Sequence, residues 1–262
     1  MIVTWLVIAV TMLGSKVFLV AVVLVTYWCI DADAGYWAGI SYLSSMWLNS
    51  VLKLTFRLPR PGDQVRPGSG WFIDAEGYGF PSGHTQGTAT TWGFFAGISQ
   101  SERMLRLALF LTVAVAVSRV YLKAHFISDC VGGAAAGWAV AAVFVAVYRV
   151  WHDRRVPLAA VVPLSLLMLL GPLDEAVVKS SGFFAGFAGG AAFQPRVAPL
   201  RRPDGWSGGM ARAFMGLLLI VGLWLIVERV GGLGPGVQWV GHAVLGAVAS
   251  LGVPAAFVRL GR

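Results

Sequence analysis

Three short segments of the chain carry side chains that could do chemistry together. Lys53 and Arg60 lie in KLTFRLPRP (53–61), Ser82, Gly83 and His84 in PSGH (81–84), and Arg119, His125 and Asp129 in SRVYLKAHFISD (118–129). An arginine offers a planar fork to two oxygens of a tetrahedral anion, and a lysine adds a movable point charge. Pro59 and Pro61 stop the helix before them and aim its last turn at an interface. In PSGH, Pro81 ends a loop, and Ser82 and Gly83 expose backbone N–H groups where a helix begins, a ready place for an anion. Asp129 follows His125 by four residues, one helical turn, so its carboxylate can hold one ring nitrogen. The other nitrogen then presents a lone pair to an electrophile, and the anion stabilises the positive charge that develops during attack. Taken singly, each cation reads as a side chain snorkelling to lipid headgroups, and Ser82 as an ordinary helix cap. As a set they point to phosphate chemistry at a membrane surface.

The elements that must position these residues are membrane helices. Of the 262 residues, 57% are hydrophobic and only 12% charged, far from the roughly 45–50% apolar and 25% charged of soluble domains. The net charge of +8 sits in short connections between apolar runs, which argues for membrane topology and against a nucleic-acid partner. Cys29 and Cys130 lie inside apolar runs and read as small buried hydrophobes. The opening MIVTWLVIAV lacks a basic lead and a cleavage site and reads as mature structure. Apolar runs long enough to cross a bilayer as helices fall at 17–30 with its flanks, 36–56, 84–99, 104–121, 127–148, 157–172, 211–228 and 236–257,. The piece 1–13, cut off by Leu13-Gly14-Ser15-Lys16, is open between a re-entrant and an interfacial role. The glycine-rich stretch 176–193 is open between a crossing and a re-entrant hairpin,. The expected fold is an all-α polytopic transmembrane bundle, with a six-helix core in 1–156 and additional transmembrane helices in 157–262.

With 176–193 counted as a crossing, one face collects Arg103, Arg106, Arg149, Arg154, Arg155, Arg196, Arg201, Arg202, Arg212, Arg259 and Arg262. By the positive-inside rule that face is cytoplasmic. Lys53, Arg57, Arg60, Arg66, Arg119, Lys123, Lys179 and Arg229 then lie opposite, and the three motif segments share the extracytoplasmic face of a cell membrane. The loop 62–80 carries Trp71, Phe72, Tyr78 and Phe80, aromatics suited to headgroup level, and reads as a lid beside a lateral lipid entrance,.

Lys-x6-Arg-Pro, Pro-Ser-Gly-His and Ser-Arg-x5-His-x3-Asp, in this order and without a gap, resemble the three motifs of the type 2 phosphatidic acid phosphatases, or lipid phosphate phosphatases, whose fold is shared with vanadium haloperoxidases. The resemblance covers about 17–150. It implies that His125 is the nucleophile of a phosphohistidine, that Asp129 orients it, and that His84 is the general acid and later the base. It also implies that Lys53, Arg60, Arg119, Ser82 and the Gly83 backbone hold the phosphoryl oxygens. Cations in place of Mg2+ suit a reaction that asks mainly for positioning and charge neutralisation. No metal or cofactor is expected, and Asp63, Asp74 and Glu76 read as solvated turn residues.

The expected activity is hydrolysis of a lipid phosphomonoester or diphosphate. Undecaprenyl diphosphate or another polyprenyl diphosphate is favoured over phosphatidylglycerol phosphate, phosphatidic acid and sphingoid phosphates. A phosphotransferase using the same intermediate and a transporter of a phosphorylated solute are the alternatives. The absence of detectable inverted repeats and the His125/Asp129 spacing weigh against the transporter.

Overall fold

The computed structural model describes residues 2–61, 77–151, 175–200, 203, 205–231 and 234–260. The span expected at 157–172 and most of the 62–80 loop lie outside the described residues, and with them Asp63, Trp71, Phe72, Asp74 and Glu76. No strand occurs among the described residues. In chain order the helices are α1 (Ile2–Met12), α2 (Lys16–Val25, extended by a π-helical turn Thr26–Ile30), α3 (Ala32–Phe56), α4 (Gly83–Ser99), α5 (Glu102–Tyr121) and α6 (Ile127–Val150). They continue as α7 (Glu175–Val197), α8 (Gly205–Gly231), α9 (Pro235–Ala247), a π-helical turn Val248–Gly252 and α10 (Val253–Leu260).

The all-α polytopic bundle read from the sequence is what is found. Helices α5, α6, α8 and the α9–α10 run to Arg259 are each long and apolar enough to cross a membrane, and α1 with α2 qualifies as a pair bent by 48°. Helices α3 and α4 fall on the expected spans but are more polar. The reason is internal: Ser45, Asn49, Thr85, Gln86, Thr88 and Thr90 are buried and hydrogen-bonded to protein. Polar groups satisfied within the bundle need no water at membrane depth. The stretch 176–193 lies within one continuous 23-residue helix, α7, about 34 Å long at 1.5 Å per residue, so it is not a hairpin.

Packing divides the chain into two units: Met1–Val20 with Ser44–Val150, and Ala21–Leu43 with Trp151–Arg262. In the first, α4 packs closely on α6 because two glycines remove the side chains between them. A Cβ on Gly133 would stand 2.6 Å from the Ser82 carbonyl oxygen, and one on Gly137 would stand 2.5 Å from that of Gln86. This backbone-to-backbone approach brings the start of α4 against the first turn of α6. Ile8 of α1 packs on Leu122 and Ala124, covering the α5–α6 connection. In the second unit, the carbonyls of Ala249 and Ser250 lie in the π-helical turn and accept from Trp28 Nε1 (2.8 Å) and Tyr27 Oη (2.9 Å).

Candidate active site

All three motif segments meet in the first unit. Helix α3 ends at Phe56, and Arg57 takes a left-handed backbone (φ 49°) that turns the chain out of the helix. Lys53, in the last turn, donates from Nζ to the Tyr78 carbonyl (2.8 Å). Beyond the turn Arg60 donates from Nε to the Gly77 carbonyl (3.0 Å), and from Nη1 to the Ala124 carbonyl (3.0 Å) and to His125 Nε2 (3.0 Å). The first motif is thereby tied directly to the third.

The second motif opens α4. Ser82, fully buried, has the extended backbone of a helix cap (φ −67°, ψ 114°), yet its side chain caps no amide of the first turn. Its hydroxyl instead accepts from Thr85 Oγ1 (3.1 Å), and its N–H donates to the Asp129 carbonyl (2.9 Å). The amides that open α4 are therefore not taken by Ser82 Oγ, the arrangement an anion at a helix N-terminus requires. His84, half-buried, stands within electrostatic reach of Arg119, His125, Arg60 and Lys53.

The third motif bridges α5 and α6. Arg119, in the last turn of α5, is wholly buried, as are His125 and Asp129 (3% and 1% exposed). The Ala124 N–H closes the connection onto the Arg119 carbonyl (3.0 Å). Asp129 Oδ2 lies 3.3 Å from His125 Nδ1 and accepts the Phe126 N–H (2.9 Å). A Cβ on Gly79 would fall 3.0 Å from that oxygen and 2.8 Å from the Pro59 carbonyl, so the turn before PSGH has room only for glycine. A carboxylate accepts only, so Nδ1 carries the ring proton and Nε2 the lone pair that Arg60 meets. Burial pushes the His125 imidazole down to about 4; the Asp129 bond raises it, and Arg60, Arg119 and Lys53 lower it further. The ring is neutral at ordinary pH.

Of the residues singled out from the sequence, Lys53, Arg60, Ser82, Gly83, His84, Arg119, His125 and Asp129 all lie in this region. Among the described residues no three His, Cys, Asp or Glu side chains gather as a metal site. Cys130 and Cys29 are free thiols, the first buried and the second half-buried. Asn49 and Gln86 belong to none of the three motifs. Asn49 Nδ2 donates to the Pro81 carbonyl (3.2 Å) and to Gln86 Oε1 (2.8 Å). Their signal was available: two amides inside helices of membrane length, Asn49 one turn before Lys53 and Gln86 one turn after Ser82,.

Known proteins resemble the stretch of chain that carries this site. Residues 34–153 match the family model of the PAP2 superfamily. Those residues are a PAP2 superfamily domain. The chain is 28% identical over 141 residues to a phosphatidylglycerophosphatase B of Bacillus subtilis, covering 49% of this chain and 66% of that one. It is 29% identical over 147 residues to sphingosine-1-phosphate phosphatase 2 of Mus musculus, covering 53% of this chain and 40% of that one. The chain therefore spans less than two thirds of the length of either relative. No solved structure gives a significant match. The PAP2 domain contains every candidate residue, from Lys53 to Asp129, and most of the first packing unit.

Proposed function

We propose that this protein is a membrane lipid phosphatase that works through a phosphohistidine on His125, without a metal. The observation that carries the reading is the two-sided holding of one buried imidazole, with Nδ1 on Asp129 (3.3 Å) and Nε2 facing the Arg60 guanidinium (3.0 Å). One partner selects the tautomer, and the other occupies the place where a phosphoryl group would sit.

When a lipid phosphate enters, Arg60 passes its donor from Nε2 to a phosphoryl oxygen. Lys53, Arg119 and the amides at the start of α4 take up the remaining oxygens, so charge is neutralised before the barrier is reached. The Nε2 lone pair then forms the N–P bond while the P–O bond to the leaving group breaks, and His84, protonated once the phosphate's negative charge is bound beside it, gives that oxygen a proton. Asp129 stabilises the imidazolium that results. In the second half-reaction His84 takes a proton from water, the hydroxyl oxygen attacks phosphorus, the N–P bond breaks and inorganic phosphate leaves. His84 is thus the acid and then the base, and each step balances in protons.

The substrate class is a lipid bearing a phosphomonoester or diphosphate. The two relatives are named as phosphatases of phosphorylated lipids, which supports the class. A polyprenyl diphosphate remains the favoured member on the sequence reading. The phosphatase core lies within 1–156, and the site opens to the extracytoplasmic side of the cell membrane, a sidedness supported by Arg103, Arg106 and Arg149 at the far ends of α5 and α6,.

The test is phosphate release by the detergent-purified protein from polyprenyl diphosphate, phosphatidylglycerol phosphate, phosphatidic acid and sphingoid phosphate, with EDTA present. Release that persists in EDTA and disappears in His125→Ala is the expected result. Activity abolished by EDTA, or retained in His125→Ala, would refute the mechanism.

A further inference from the structure

We infer that Asn49 and Gln86 are positioning residues for the phosphoryl transfer: a buried pair of amides that fixes the start of α4, and with it His84, against the helix that carries Lys53. The inference rests on the phosphatase reading above. Both side chains are buried, Asn49 at 6% exposure and Gln86 at 0%, in helices where an amide is costly unless it is fully bonded,.

The bonds form a closed account. Asn49 Nδ2 donates one hydrogen to the Pro81 carbonyl (3.2 Å) and the other to Gln86 Oε1 (2.8 Å). Gln86 Nε2 donates to the Ser45 carbonyl (2.7 Å) and to Ser45 Oγ (3.1 Å). With Ser45 Oγ accepting there, its own hydrogen goes to Thr90 Oγ1 (2.8 Å), and Thr90 Oγ1 in turn donates to the Gly137 carbonyl (3.2 Å). Each hydroxyl and amide hydrogen in the series has one destination, so the series has one orientation. It joins α3, α4 and α6, and its first link grips the peptide immediately before Ser82.

Asn49 also lies close against the glycine of PSGH. The place a Cβ on Gly83 would occupy lies 3.3 Å from Asn49 Oδ1. The amide is therefore pressed against the backbone of the residue that precedes His84. Asn49 stands one helical turn before Lys53, so a single stretch of α3 holds both a phosphate cation and the α4 start that must meet the same phosphate. A small rotation of that start would misaim His84 and the α4 amides while leaving the rest of the fold in place. Misplacement of about 1 Å can lower a rate by about 10²-fold.

The experiment compares wild type, Asn49→Ala, Gln86→Met, which keeps the volume, and Thr90→Val, which removes the far end of the series. It measures kcat and KM on whichever panel lipid the wild type turns over fastest, Tm, and amide hydrogen exchange in peptides covering 80–88 and 127–133. Asn49→Ala is expected to lower kcat about 30-fold with KM within about threefold, and to speed exchange in 80–88 at least about tenfold with little change in 127–133. Gln86→Met should do the same to a smaller extent, about tenfold in kcat, and provides the test if Asn49→Ala does not fold. Thr90→Val should lower Tm but kcat by less than about threefold. Adding Gly83→Ala to Asn49→Ala should cost less than Gly83→Ala alone, because the amide that crowds the new methyl is gone.

The inference is overturned if the Asn49 and Gln86 variants lose Tm while keeping wild-type kcat and wild-type exchange in 80–88. It is overturned equally if Thr90→Val lowers kcat as much as Asn49→Ala, for the amides are then only part of a structural network. Wild type that releases no phosphate from any panel lipid, with exchange behaving as expected, would sink the phosphatase reading and leave the positioning of α4 standing.

Discussion

Among the described residues, each packing unit holds a cluster of charged side chains around a buried histidine, and the two clusters differ in composition. Around His125, the cations Lys53, Arg60 and Arg119 accompany the carboxylate of Asp129, which is itself engaged by the His125 ring and the Phe126 N–H. Around His242, Lys179 Nζ lies 2.7 Å from Glu175 and 2.7 Å from Glu228. Glu228 also accepts from Trp224 Nε1 (3.0 Å) and faces His242 Nε2 at 3.7 Å, while His242 Nδ1 donates to the Gln238 carbonyl (2.8 Å). The second cluster carries its own counterions and is complete. Among the described residues the first gathers three cations and one carboxylate at the helix borders. Residue types alone do not separate a site from a structural ion pair; the neighbours of each charge must be known.

That contrast can be broken most sharply at Asp129. Asp129→Asn keeps the shape but removes the anion and the tautomer selection at His125, so turnover should fall about 10³- to 10⁴-fold; a loss under tenfold would mean that the carboxylate is as incidental to chemistry as Glu228. Arg119→Lys keeps the charge but loses the planar fork, and a drop of about 10²-fold in kcat/KM is expected. Activity within threefold of wild type there would show that a point charge suffices.

The pH dependence of stability sharpens the comparison further. The unfolded His125 ring titrates near 6.5, and burial first among the causes brings the folded ring to about 4. Between those values the unfolded chain binds a proton that the folded chain refuses. Stability is therefore unaffected by this ring above about pH 6.5 and falls as pH drops from about 6.5 towards about 4. Tm measured against pH should flatten over that window in His125→Ala; curves parallel to wild type would contradict the burial argument.

The smallest effect is expected at the self-neutralised cluster. Lys179→Met should lower stability by about 1 kcal/mol, a Tm shift of about 2–4 °C, with kcat within threefold of wild type. A loss of activity comparable to that of Arg119→Lys would erase the distinction between the clusters.

Much of this is legible in the sequence. The helical bundle follows from apolar runs of membrane length, and the candidate site from three motifs at helix borders, because both are written as local residue patterns. Helix α7 was not legible as one element, since glycines serve a packed helix and a re-entrant hairpin equally well and only the neighbours decide. Asn49 and Gln86 were missed because a polar residue in an apolar helix has meaning only through its partner, here 37 residues away in the chain.

By itself the sequence determined that this chain lives in a membrane, that it is helical, and that its imidazoles, carboxylate and cations are the types phosphate chemistry uses. Hydrophobic run length and i, i+4 spacing are properties of a chain segment and survive without a fold. Only the tertiary structure decided that Arg60 meets Nε2 of His125, that the Ser82 N–H is bonded to the Asp129 carbonyl, and that Lys179 already has its counterions. Those facts depend on distances of about 3 Å between segments far apart in sequence, and short-range directional forces exist only once packing has brought the groups together.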